Sequence, residues 1–372
     1  YGFKFLNEPN KKNTIIFSLI SGLTIGCRIL GIYFPILIFL IRYIDILRER
    51  NPNKKRYSSL FIIIFLVPIF TILFWPYLWE NPLENFLNVF SELSNHDRPI
   101  SNFFLGNYIS ALYVPWNYIL IWIFTTTPLF YLALFLLGLF FLITRIGKRL
   151  IKIDNENSYN DLWRGRAEQK DLIVLLTIIV PIISIIILHS SLYTGWRHLY
   201  FIYPSIVIIS IYGLNIINLL YIKNKIRLFI ITLILITPTA FWMVKNHPYQ
   251  YVYFNSLVSK NFDKFFDMDY WGVSNYNSLK YLAIKNKKLI SVGIIGNGDL
   301  RLSRIFLNED LRKYINITAD KENADFLIDN YNRWDGINFK KRDLIFEKKF
   351  IKYYEIKVND ISINTIYKNN FK

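Results

Sequence analysis

Four groups of residues in this 372-residue chain have types and spacings suited to chemistry. Arg28 stands alone within the apolar stretch 13–41, beside Gly22, Gly26, Gly31 and Pro35. An ionisable side chain among apolar neighbours is costly, which makes it a functional candidate, and small neighbours would let a phosphate approach the backbone. The plainer alternative is an arginine that snorkels to an interface. In GWRHLYFIYP (195–204), Arg197 offers a planar fork of donors matched to phosphate oxygens, and His198 could add a donor or exchange a proton. Tyr203 closes this motif, whose plainer reading is an interfacial aromatic belt.

NHDRPI (95–100) sets His96, Asp97 and Arg98 side by side, although Asp97 and Arg98 could simply pair with each other. Finally, HPYQYVYFN (247–255) and FFDMDYWG (265–272) combine Tyr and Trp with Asp267 and Asp269. Rings such as Trp271 could grip a sugar face while carboxylates bond its hydroxyls. Their enrichment at membrane headgroups is the stronger reading. Two further patterns are weak. GNGDLR (296–301) resembles a dinucleotide loop but has Arg301 where a third glycine belongs, and Asn316-Ile317-Thr318 fits a glycosylation sequon.

The elements that must position these groups are apolar. The composition is 53% hydrophobic, 18% aromatic and 19% charged, which excludes disorder, collagen and coiled coil. Four His and one Cys leave no material for a Cys-rich zinc site or a disulfide framework. The net charge of +17 comes with no nucleic-acid-binding motif, so no nucleic acid partner is expected.

A membrane helix needs about 20 apolar residues. Segments at about 14–27, 29–47, 58–79, 118–144, 171–189, 198–220 and 227–244 are read as spans, the first two as a pair broken near Arg28. The expected architecture is an α-helical polytopic membrane protein, with a transmembrane domain over 1–244 and a small α/β domain over 245–372. Six basic residues in 42–56, seven in 145–170 and three in 223–227 would be retained on the cytoplasmic side. That places the loop 80–117, the turn 189–198 and the tail outside the inner (plasma) membrane.

Within the outer loop, Leu83, Phe86, Leu87, Phe90 and Leu93 recur at helical spacing and are expected to pack against neighbouring protein. In the tail, Ser274 is expected to cap a helix to about Lys285. Strands are expected at 289–295 and 324–329, a helix at 299–307, and a hairpin around Asn359 and Asp360. The opening YGFKFLNEPN lacks signal-peptide features, and an N-terminal truncation is expected.

The order of elements carries a resemblance: a glycine-rich broken pair with a central Arg, a span ending FWPYLW, an outer loop reaching PWNYILIWIFTTTPL, then GWRHLYFIYP and HPYQYVYFN. This order over residues 14–275 resembles polytopic GT-C glycosyltransferases of the protein O-mannosyltransferase and aminoarabinose-transferase type. The resemblance implies a polyprenyl-phosphate-linked sugar as donor and a glycan, lipid or protein acceptor at the outer face. It places Arg197 near the donor phosphate, with Arg28 as a second contact, and His198 is grouped with them.

By the same resemblance His96 would approach the site. Asp97, Arg98, Tyr203, Asp269 and Trp271 complete the expected substrate-binding set. The family's catalytic carboxylate lies in an earlier outer loop, so it is expected upstream of Tyr1 and the fragment alone is expected to be inactive. No cofactor is assigned, although a divalent metal is compatible. A transporter or flippase for a phosphorylated lipid or sugar is the alternative, and a membrane-anchored binding protein is a third reading.

Overall fold

The computed structural model describes residues 1–48, 54–94, 100–151, 163–258, 261–296, 298–332 and 349–371. His96, Asp97 and Arg98 lie outside the described residues. The fold is mostly helical with a small C-terminal sheet, and six described helices are long and apolar enough to cross a bilayer. These are Ile29–Leu47, Tyr57–Phe74, Leu129–Lys148, Gly165–Ile187, Arg197–Ile222 and Lys225–Lys245. The chain divides into two compact units.

The first unit comprises Tyr1–His96, Phe135–Ser190 and Phe201–Gly213. It opens with α1 (Gly2–Asn7) and α2 (Lys11–Cys27), whose N-terminus is capped by Asn10 Oδ1 accepting from the Asn13 N–H at 2.8 Å. At 17 residues α2 is shorter than the six spanning helices. It ends at Arg28, whose extended backbone leads through a 3-10 turn (Ile29–Ile32) into α3 (Tyr33–Leu47). Pro35 falls in the first turn of α3, where its missing N–H leaves no intrahelical bond unmade.

α4 (Lys54–Phe74) lies against α2 so closely that a β-carbon on Gly22 would fall 2.5 Å from that of Phe70. α5 (Pro82–Ser94) is the amphipathic helix of the loop. Phe86 meets Trp75 edge-on, but Leu83 and Leu87 are exposed, so the expected packing against protein is not made there.

Tyr118–Thr126 forms α6 and Leu129–Ile151 forms α7, so the stretch read as one span is broken. The cause is Pro128, because a residue preceding proline is pushed out of helical backbone, and Thr127 is extended. In the first unit α7 is joined by α8 (Gly165–Ile187) and the start of α9 (Tyr203–Ile217). Polar bonds gather at one end: Arg166 reaches Asp45 at 2.6 Å and Gln169 at 2.7 Å, and Arg145 reaches Asp171 at 2.9 Å. Asp45 of α3, Arg145 of α7 and Arg166 and Asp171 of α8 therefore lie at the same end of this unit.

The second unit comprises Asp97–Leu134, Ser191–Tyr200 and Leu214–Lys372. It contains a hairpin of β1 (Ser101–Phe104) and β2 (Asn107–Ser110), α6, and α10 (Lys225–Lys245), which has no buried residue. The tail adds α11 (Val273–Asn286), β3 (Ile290–Ile294), α12 (Leu300–Ile305), α13 (Glu309–Arg312), β4 (Ile315–Ile317), β5 (Phe326–Asp329), β6 (Phe350–Val358) and β7 (Ile361–Asn369).

The sheet order is β4-β3-β5-β7-β6, with β3 parallel to β4 and β5, and with β7 antiparallel to β5 and β6. Leu279, Leu282 and Ala283 of α11 bury one face of it against Val292, Phe326 and Ile366. Asn359 and Asp360 both have positive φ and turn the β6–β7 hairpin, and Asn359 Oδ1 accepts the Trp242 indole N–H of α10 at 2.8 Å.

Candidate functional site

Arg197 begins a 3-10 stretch (Arg197–Ile202) immediately after Thr194 and Gly195, both at positive φ. This turn is held from outside its own segment. Asn102 donates to the Leu192 carbonyl at 2.8 Å and accepts from the Thr194 N–H at 2.9 Å, and the Trp196 indole donates to Thr126 Oγ1 at 3.0 Å. Asn102 is buried, so the two bonds fix the turn tightly.

The Arg197 guanidinium then lies between two rings, 4.4 Å from the centre of Tyr193 and 4.8 Å from that of Trp271. Among the described residues no carboxylate forms an ion pair with it. Contacts to rings leave the positive charge unmatched by a carboxylate and free to meet an anionic acceptor. His198 meets the other aromatic partner, Tyr193, edge-on at 4.8 Å. The unit therefore brings Trp271 and Tyr193 to Arg197 and sets His198 against Tyr193, a residue outside the sequence motifs. Its only sequence signal is its place just before the Thr194-Gly195 turn.

Asp269 is fully buried and does not face a ligand. Its Oδ1 accepts from Tyr251 and from the Val273 N–H at 3.0 Å, and its Oδ2 accepts from the Ser274 hydroxyl and from the Ser274 N–H at 3.1 Å. With four donors supplied by the chain, the expected bond to a sugar hydroxyl has no free lone pair to draw on. The carboxylate instead caps α11 and closes the turn that carries Trp271, where Gly272 N–H also donates to the Asp269 carbonyl at 3.0 Å.

Ser274 was expected to be the cap. It is inside the helix, and its hydroxyl serves the carboxylate that does the capping. Burial raises the pKa of Asp269 against the lowering effect of these bonds, and burial together with the Asp269 charge raises that of Tyr251. Asp267 is likewise structural: its Oδ2 accepts from the Phe103 N–H at 2.9 Å, tying the tail to β1.

Arg28 and Tyr203 belong to the other unit. Arg28 is exposed at the bend between α2 and α3, at the end of the unit reached by Gly26 and Phe74. A groove of about 330 Å³ in the same unit is lined almost wholly by apolar side chains, among them Ile25 and Ile32, which flank Arg28 in sequence, and Leu83 and Phe86 of α5. Tyr203 is at the first position of α9 and is partly exposed.

Among the described residues no group of three or more His, Cys, Asp and Glu is placed to hold a metal ion. No family model matches the sequence, and neither a curated protein nor a solved structure matches the chain.

Proposed function

We propose that this chain belongs to a membrane glycosyltransferase that takes a sugar from a polyprenyl-phosphate donor and passes it to an acceptor at the outer face of the membrane. The observation that carries the reading is Arg197, a guanidinium held by two rings with no carboxylate partner among the described residues. The two ring contacts hold the guanidinium in place in advance, so a phosphate can be met without reorganisation. Arg28 belongs to the other unit, and the reading does not rest on it.

In the reaction, the bond between the anomeric carbon and the phosphate oxygen breaks and its electron pair leaves with the phosphate. The acceptor hydroxyl oxygen forms the new bond to that carbon, and its proton passes to a base. Charge on the departing phosphate grows along this path. A fixed guanidinium therefore stabilises the transition state more than the ground state.

The test is transfer of a radiolabelled hexose or pentose from polyprenyl phosphate by the full-length protein in membrane vesicles. Arg197→Ala should lower turnover by about 10²-fold or more with insertion intact. Unchanged turnover would reject the role. The outer placement of the tail is tested separately with Cys27 replaced by Ser and a new cysteine in 361–369. Labelling of intact cells by an impermeant thiol reagent is expected, and labelling only after lysis would place the tail inside.

A further inference from the structure

The second unit contains a cleft of about 600 Å³ beyond the carboxyl end of β3, between the start of α11 and α12. Here the chain leaves β3 toward β4 on one side, whereas β5 connects to β6 on the other. Crevices outside strand ends where connections diverge are common ligand sites in open α/β sheets. Trp271, Tyr276 and Phe306 supply aromatic walls, and Asn275, Asp299 and Ser303 supply polar groups; among the described residues no Lys or Arg lines the cleft.

Asn275 is the deciding residue. It is 1% exposed, yet it lines this cleft, and its Nδ2 makes no hydrogen bond among the described residues. Its orientation is set from behind. The Ser274 hydroxyl donates to Asp269, and Asn364 Nδ2 donates to the Ser274 oxygen at 2.8 Å and to Asn275 Oδ1 at 3.0 Å. The Ser278 hydroxyl donates to Asn364 Oδ1 at 2.8 Å and fixes that amide in turn.

With Oδ1 committed to an N–H, the NH2 of Asn275 has to point the other way. There it meets Gly272 and Gly298, both at positive φ, where a β-carbon would approach Nδ2 to 2.8 and 3.3 Å. Side chains at these two positions would crowd the donor, and glycine leaves it open.

A buried, oriented amide donor beside exposed rings suits a ligand with both apolar faces and hydroxyl edges. We infer that this cleft binds an uncharged saccharide, with a sugar face on Trp271 and a ring or hydroxyl oxygen accepting from Asn275 Nδ2. Asp299 and Ser303 are placed to accept from further hydroxyls. A purely apolar ligand would leave the amide unpaired. Asp269 is a positioning residue for this site, acting through Ser274 and Asn364. Trp271 is shared with the Arg197 contact, whereas Asn275 and Phe306 belong to this cleft.

The test uses the whole chain in lipid nanodiscs and saturation-transfer NMR with neutral trisaccharides, chitotriose and mannotriose among them. Wild type should transfer saturation to sugar ring protons. Trp271→Ala should abolish the effect and Asn275→Ala should weaken binding by about tenfold or more. Phe306→Ala removes a 75% exposed side chain and so keeps the fold; it should also weaken the signal. Neither Asn275 nor Phe306 contacts Arg197 among the described residues, so Asn275→Ala and Phe306→Ala should both leave binding of a polyprenyl phosphate unchanged, which separates this site from the phosphate site. No transfer to any trisaccharide, or equal transfer in wild type and in Phe306→Ala with matching melting temperatures, would overturn the inference.

Discussion

The guanidinium carbon of Arg197 lies 4.8 Å from the centre of the Trp271 ring. An arginine held by aromatic rings keeps its charge for an anionic ligand, whereas one held by a carboxylate has it matched already. A cation–π contact contributes about 0.5–2 kcal/mol. Trp271→Ala should therefore weaken binding of a polyprenyl phosphate by about 2- to 30-fold, and Trp271→Phe by less. Titration of the lipid phosphate into nanodisc-embedded protein measures both.

Removing the Asp269 carboxylate strands several buried donors at once. Asp269→Ala leaves the Tyr251 and Ser274 hydroxyls and the N–H groups of Val273 and Ser274 without their acceptor. Each orphaned buried donor costs about 1–3 kcal/mol, so a loss of at least about 3 kcal/mol is expected. Limited proteolysis of the purified protein should cut first within the second unit, and the tryptophan environment of Trp271 should change with it.

Glu355 predicts an acid-sensitive hairpin. Burial pushes its pKa up, but bonds from Lys352, Ser362 and Lys357 override this and hold it at about 2 against an ordinary 4.5. A depressed carboxylate stabilises the fold above its unfolded value, and that stability is lost as pH falls from about 4.5 toward 2. Asp269 works in the opposite sense, because its raised pKa favours the fold below 3.8 and that contribution is lost as pH rises through the raised value. Comparing wild type with Glu355→Gln isolates the first effect. Their difference in melting temperature should shrink steadily on acidification below about pH 4.5.

Much of the fold was legible because apolar length and special backbone positions are strong local signals. Uncharged runs marked the helices, the glycines and Pro35 marked the bend at Arg28, and Asn359-Asp360 marked a hairpin because both residues tolerate positive φ. The β1–β2 hairpin was not foreseen. Its turn is Leu105-Gly106, and leucine at positive φ carries no turn signal. The break at Pro128 was readable but was outweighed by the long uncharged run around it.

The site divided along the same line. Arg197 and Trp271 stood out by residue type, but their contact depends on pairing residues 74 positions apart through Asn102 and Asp269. Asp269 looked like a ligand because a carboxylate among aromatic residues reads that way in one dimension. Only the folded chain supplies it with four donors.

The most direct measurement is equilibrium binding of a polyprenyl phosphate to the nanodisc-embedded chain, in wild type, Arg197→Lys and Arg197→Ala. Binding should weaken in Arg197→Lys, which keeps the charge but loses the fork of donors, and fall by about 10²-fold in Arg197→Ala, with all three proteins melting alike. Equal affinity in wild type and Arg197→Ala would contradict it.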